Sequence, residues 1–204
     1  MVIDTEYGPA SARVDNDSGQ GGARFLVVLT HGAGGVESAD LLAARDAAVG
    51  LGGAVARVVQ SYRVRGARAP GSAVRQDGAW LEVIARLREE YGNGPLIQGG
   101  RSNGARVACR TARAAGALGV LALAFPLHPP GKPDLSRVGE LRGAGTNVLV
   151  INGSRDPFGI PDHADAAKVV VLAGEAHALR GGAALITEEV SAWLRGLGVG
   201  QDYG

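Results

Sequence analysis

The segment Gly100-Arg101-Ser102-Asn103-Gly104 sets a hydroxyl between two glycines, where an apolar strand-like run, Pro95 to Gln98, meets a helix-like pattern starting near Asn103. The pattern G-x-S-x-G has a mechanical meaning. Small residues two before and two after the serine let a sharp strand-to-helix turn fit between its neighbours, so that the hydroxyl projects above a sheet. A serine hydroxyl is a weak nucleophile until a base removes its proton, and the base needs a partner to orient it. Both are available, each just beyond an apolar run. Asn147 to Asn152 leads into Gly153-Ser154-Arg155-Asp156-Pro157, and Lys168 to Leu172 leads into Ala173-Gly174-Glu175-Ala176-His177. Upstream, Phe25 to Thr30 ends in His31-Gly32-Ala33-Gly34-Gly35, a loop able to turn a backbone N–H towards an oxyanion. The chemistry these residues suit is acyl transfer. Ser102 is the nucleophile, His177 the base, Asp156 the acid that orients it, and the N–H groups of Ala33 and Asn103 the oxyanion donors, with Gly34 as substitute.

Other polar residues compete for these roles. Asp162 and Asp165 lie close to Asp156 in sequence, and Asp156 is also placed to cap a turn before Pro157. His31 suits hydrogen bonding that fixes the oxyanion loop, and His31, Gly34 and His128 are the candidates to line the substrate pocket. His128, before Pro129-Pro130, suits a structural role equally well. His163, between Asp162 and Asp165, has the look of a metal cluster, but without further clustered ligands a solvated loop is the better reading. The segment Tyr62 to Arg68 carries Arg63, Arg65 and Arg68 after a strand. It either faces the site, where an anionic acyl or leaving group would suit it, or is a solvated basic loop, the preferred reading because exposed arginines are common.

The elements that must position these groups follow from periodicity. Residues 2–14 read as one or two leading strands at the edge of a sheet, followed by a polar turn from Asp15 to Gly22. Ser38 to Val49 reads as a helix capped by Ser38, with Leu41, Leu42, Ala48 and Val49 on one side and Gly50 at its end. Ala54 to Val59 reads as a strand. Trp80, Val83, Ile84, Leu87 and Tyr91 recur at helical spacing up to Gly92, as do Ile186, Val190, Trp193, Leu194 and Leu197. The helix after Ser102 turns Val107, Ala108, Thr111, Ala112 and Ala115 one way and Arg106, Arg110 and Arg113 the other. Val120 to Phe125 is another buried strand. Strands alternating with helices imply an α/β fold, a mostly parallel twisted sheet with helices on both faces. Between Phe125 and Asn147 there is room only for turns and one short helix with Leu135, Val138 and Leu141 as its apolar positions, and so for no cap domain. The pocket is accordingly expected to be shallow and open to water.

Taken together, the H-G-A-G-G, G-x-S-x-G and G-S-R-D-P-F-G stretches resemble the α/β-hydrolase superfamily, specifically its small dienelactone-hydrolase-like branch of the testis-expressed protein 30 type. The order serine, acid, histidine is the one that superfamily uses. Phe125 to Pro133 resembles the branch's post-strand segment, and the likeness covers most of the chain. Asn103-Gly104-Ala105 stands where the branch usually reads Met-Gly-Gly. The resemblance implies a serine esterase-type hydrolase. Some relatives act as scaffolds, so a non-catalytic binding protein stays open here, and thioesterases, peptidases and acyltransferases share the same three residues.

Composition bounds the rest. A chain of 204 residues with 46% hydrophobic residues suffices for one well-buried domain, and no shift in composition marks a second. A net charge of +1 with no basic tract argues against binding nucleic acid or a membrane surface by bulk charge, so the expected partner is a small-molecule ester. No cofactor or metal is expected. The single cysteine, Cys109, forms no intramolecular disulfide and is read as a small packing residue. With no signal-peptide pattern at Met1 to Glu6, the expected location is the cytoplasm.

Overall fold

The computed structural model describes residues 1–16 and 22–200, so most of the polar turn expected between Asp15 and Gly22 lies outside the described residues. Eight strands form one sheet: β1 (Val2–Ile3), β2 (Ala10–Asp15), β3 (Leu26–Thr30), β4 (Ala54–Val59), β5 (Leu96–Arg101), β6 (Gly119–Leu123), β7 (Asn147–Gly153) and β8 (Lys168–Leu172). Their spatial order is β1-β2-β4-β3-β5-β6-β7-β8. The two leading strands are antiparallel additions at one edge, and every pairing from β4 to β8 is parallel. The helices are α1 (Ala39–Val49), α2 (Ser61–Val64), α3 (Ala73–Tyr91), α4 (Asn103–Ala115), α5 (Val138–Arg142) and α6 (Ala183–Gly196). Among the described residues no helix is long and apolar enough to cross a membrane.

Alternation along the strands decides which helix covers which face. Val27 and Leu29 of β3 point to the layer of α1 and α6, whereas Leu26 and Val28 meet Trp80, Val83, Ile84 and Leu87 of α3. Ala105, Ala108, Cys109 and Ala112 of α4 pack with Val120 and Ala122 of β6, Val150 of β7 and Leu141 of α5. The small residues of α4 bring its axis close to the sheet, and Trp193 is buried beneath the other face, its Nε1 donating to Asn147 Oδ1 at 2.7 Å.

Three expectations need correction. Ser38 occupies the N-cap position of α1, but its hydroxyl makes no capping bond; the Leu41 N–H is taken by Asp40 Oδ1 at 2.9 Å. The buried face of α1 is also broader than two leucines and two flanking residues, because the helix is wedged between sheet and α6 and buries Ala43, Ala44 and Ala47. In the β6–β7 connection Leu135 lies outside α5 and is 57% exposed, so Leu141 alone anchors that short helix.

The strand that carries Ser102 is tied to both helices beneath it through one buried amide. Gln98 of β5 accepts from Trp80 Nε1 at 2.8 Å and donates from Nε2 to Ala108 O at 2.7 Å and to Thr111 Oγ1 at 3.2 Å. Inside an apolar layer every one of those bonds must be made, because an unpaired amide there costs more than the bond itself gains. Replacing Trp80 with Phe keeps most of the ring's packing but leaves Gln98 Oε1 only the long contact to Thr111 Oγ1 at 3.5 Å. The expected loss is about 1–3 kcal/mol of unfolding free energy, measured by chemical denaturation; a change below about 0.5 kcal/mol would show that the amide finds another donor.

Candidate active site

Ser102 stands between the end of β5 and the start of α4 with φ 54° and ψ −114°. L side chains rarely adopt a positive φ, and such strain, on the order of 1–3 kcal/mol, persists only where the surroundings enforce it. Here they do. Ser102 N donates to Leu123 O at 2.9 Å, fixing the turn to β6. Gly104 lies so near β3 that a Cβ there would come within 2.6 Å of Thr30 O, and one at Gly32 would come within 2.8 Å of Ser102 Cβ. The two glycines permit a contact between backbones that any side chain would wedge apart.

His177 and Asp156 arrive from the ends of the next strands. His177 Nε2 lies 3.0 Å from Ser102 Oγ, and its Nδ1 lies 2.8 Å from Asp156 Oδ2. A carboxylate only accepts, so Nδ1 carries the ring proton and Nε2 is left to accept from the hydroxyl. The Asp156 side chain is fully buried; its Oδ1 accepts from Phe158 N at 2.9 Å, and Asn152 Nδ2 approaches Oδ2 at 3.4 Å. The Phe158 ring lies 4.3 Å from the imidazole and confines it from one side. Asp162 and Asp165 are engaged elsewhere. They close a reciprocal cap around the 3₁₀ turn His163–Asp165, and Asp165 pairs with Arg142 at 2.7 Å. His163 is exposed, and among the described residues no cluster of His, Cys, Asp or Glu is suited to a metal ion.

Arg101 and Asp40 have no place in the sequence reading. Arg101 Nη2 donates to the carbonyl of His177 at 2.8 Å, while its Nε lies 2.8 Å from Oδ2 of the fully buried Asp40 in the first turn of α1. The residue directly before Ser102 thus holds the backbone of His177. The signal available was a cation at the end of an apolar strand and an acid just before an apolar helix face, which no periodicity joins.

The loop after β3 is held in shape by His31, which forms no pocket wall. His31 is fully buried: Nδ1–H donates to Gly32 O at 2.7 Å, Nε2 accepts from Gln60 N at 3.1 Å, and Gln60 Nε2 donates to His31 O at 3.2 Å. The expected substrate contact at His31 is therefore wrong, because both ring nitrogens are occupied by backbone. Burial holds its pKa below the ordinary value, keeping the ring neutral as this bonding requires. In a trans peptide N–H and C=O point oppositely, so gripping Gly32 O turns the Ala33 N–H the other way. The Ala33 carbonyl accepts from Arg63 Nη2, which likewise orients Gly34 N–H. Arg63 belongs to α2, so the expected basic loop is partly helical and not simply solvated. Asn103 opens α4, where its N–H has no acceptor within the helix, and its Nδ2 donates to Gln76 Oε1 at 2.7 Å.

Two further residues are engaged in packing contacts. His128 braces the turn after Asp156: its N donates to Phe158 O at 2.9 Å, and its ring lies where a Cβ on Gly159 would come within 2.5 Å of Nε2. Cys109 is buried, and burial pushes its thiol up to about 12, which keeps it protonated and inert.

No curated protein matches the sequence. Among solved structures the chain superposes on Est1E from Butyrivibrio proteoclasticus with ferulic acid bound, at TM-score 0.78 and 14% identity over 97% of this chain and 98% of that one. It superposes on XC6422 from Xanthomonas campestris, a serine hydrolase without a lid, at TM-score 0.76 and 19% identity over 96% and 92%. For the esterase of Pyrobaculum calidifontis the TM-score is 0.69 and the identity 16%, over 95% and 84%. At such identities the likeness is one of fold. The family described as alpha/beta hydrolase domain matches residues 23–182, from before β3 to the loop before α6 and thus across every element that carries Ser102, Asp156 and His177; the chain belongs to the alpha/beta hydrolase family.

Proposed function

We propose that this protein is a serine hydrolase that cleaves carboxylic esters of small molecules through an acyl-enzyme on Ser102. The observation that carries the reading is the unbroken run from Asp156 through His177 to Ser102 Oγ, at 2.8 and 3.0 Å, ending on a strained serine. Esters are placed first because solved structures of like fold include esterases. The stretches quoted above favour the small dienelactone-hydrolase-like branch.

In this mechanism Ser102 Oγ attacks the ester carbonyl carbon as its proton passes to His177 Nε2. Asp156 stabilises the imidazolium without taking the proton. The carbonyl oxygen, now an oxyanion, receives the N–H groups of Ala33 and Asn103, each worth about 3 kcal/mol of barrier in comparable sites. Collapse of the tetrahedral adduct breaks the C–O bond, and the alkoxide leaves with the proton held by His177. Water then attacks the acyl-enzyme, again giving its proton to His177, and the acid departs as Ser102 recovers its hydrogen. Arg101 acts through His177 as a positioning residue.

Three outcomes are expected. A fluorophosphonate probe labels Ser102, and Ser102→Ala abolishes labelling without changing the circular dichroism; folded protein with no adduct on Ser102 by peptide mapping would leave a binding protein as the better description. Asp156→Asn lowers kcat by up to about 10⁴-fold, because the wrong tautomer of His177 becomes available, whereas Asp162→Asn stays within about twofold in the same assay. Arg101→Lys keeps a charge for Asp40 but loses the reach to the His177 carbonyl. It should lower kcat about tenfold, equivalent to about 1.4 kcal/mol, with KM for a small ester unchanged; a rise in KM alone would make Arg101 a substrate contact instead.

A further inference from the structure

Phe158 bears on Asp156 and His177 at once. Its N–H donates to Asp156 Oδ1 at 2.9 Å, and its ring centroid lies 4.3 Å from that of the His177 imidazole, with 34° between the planes. The residue is also held from behind. Its carbonyl accepts from His128 N at 2.9 Å, and Gly159, at φ 84°, leaves the space that the His128 ring fills. A shift of the backbone at Phe158 would break one of these bonds, so the phenyl ring meets the imidazole in a fixed place.

Edge-to-face pairs hold their planes near perpendicular, so at 34° the imidazole lies over the face of the phenyl ring, where its quadrupole is negative. A ring so placed has two opposed effects on a charged imidazole. As an apolar cover it removes water, which disfavours the charge, and as a quadrupole it attracts a cation. The cover is partial, since the His177 side chain keeps 19% of its surface exposed. We propose, on the serine-hydrolase reading above, that Phe158 is a positioning residue whose aromatic face favours the imidazolium over the neutral ring, supporting the charge that His177 takes up as Ser102 attacks. The other groups facing the imidazole are the Asp156 carboxylate at Nδ1 and the Ser102 hydroxyl at Nε2, with the Arg101 guanidinium on the His177 carbonyl. Glu175 and Arg155 of the same two loops are engaged by Gly181 N and Gly174 O. Removing the aromatic face alone leaves all of these in place.

The test follows kcat and kcat/KM for nitrophenyl acetate from about pH 5 to 9, where a base of this kind loses its proton. Phe158→Leu keeps an apolar cover and loses the aromatic face. The acid limb of kcat/KM should move to lower pH by about 0.5 unit, and kcat on the plateau should fall by up to about threefold, the same change expressed as a ratio. Phe158→Tyr restores the face and should return both values towards wild type. Pentafluorophenylalanine at this position keeps the ring's shape and reverses its quadrupole; it should move the limb further the same way, and it carries the test if Phe158→Leu does not fold. An acid limb that stays put or rises in the folded variants, whatever happens to kcat, would leave Phe158 as packing alone and overturn the proposal. So would a Phe158→Tyr that behaves like Phe158→Leu. The midpoint of the His177 ring titration by NMR, read without substrate, should move as the acid limb does. If Ser102 takes the fluorophosphonate while limb and midpoint stay put, only the role of Phe158 falls; if Ser102 is neither labelled nor active on any ester, the hydrolase reading and this one fall together.

Discussion

The close approach of three backbone segments around Ser102 is the constraint on which the site depends. The carbonyls of Thr30 and His31 at the end of β3 sit within 2.9 Å of where a Gly104 side chain would begin, and Gly32 closes over Ser102 from the same loop. This contact fixes three things at once: the positive φ that lifts the hydroxyl, the free N–H at the start of α4, and the distance from that N–H to the loop after β3. Because the elements are held through backbone, small changes of sequence on their outer surfaces leave the geometry intact. A single methyl group at the contact would not.

Much of the architecture was legible before any coordinates. The apolar runs that become β3, β4, β5, β6 and β7 are short and rich in Val, Ile, Leu and Ala, which is what strands buried on both faces require, whereas β8 at the sheet's edge exposes Lys168 and Val171. Since parallel strands deliver their following loops to one edge, a serine after β5, an acid after β7 and a histidine after β8 are brought to the same edge. Local pattern therefore pointed to the edge at which Ser102, Asp156 and His177 meet. Contacts with no local pattern stayed hidden. Arg101 of β5 meets Asp40 of α1, Asn103 of α4 meets Gln76 of α3, and Phe158 reaches His177 from a neighbouring loop. Side chains of these types sit equally well on a surface, and only the fold decides that they do not. Ser38 shows the converse: the residue type fits a cap, yet its buried hydroxyl makes no bond.

Buried polar groups serve the site twice over. Gln98 clamps α3 and α4 beneath β5, while Arg57, buried on β4, pairs with Asp15 of β2 at 2.8 Å and with Glu37 beside the oxyanion loop at 2.7 Å. Such pairs add little net stability when buried, since desolvation offsets attraction. Their value is in register: a slip of β2 by one residue would leave a charge without its partner, so the antiparallel edge and the loop after β3 are held to one alignment.

The neutral ring of His31 places a limit on the acidity that the loop after β3 tolerates. Its burial, reinforced against protonation by nearby Arg63 although the bond to Gly32 O pulls the other way, lowers its proton affinity relative to the unfolded chain. Below about pH 6.5, where a free histidine begins to take up a proton, the unfolded state binds it first, and proton uptake draws the equilibrium away from the folded form. A protonated ring would also lose the acceptor that Gln60 N requires. The loop after β3 is thereby a proton-linked element: above that range its alignment is fully supported, and as the medium acidifies it gives way from within.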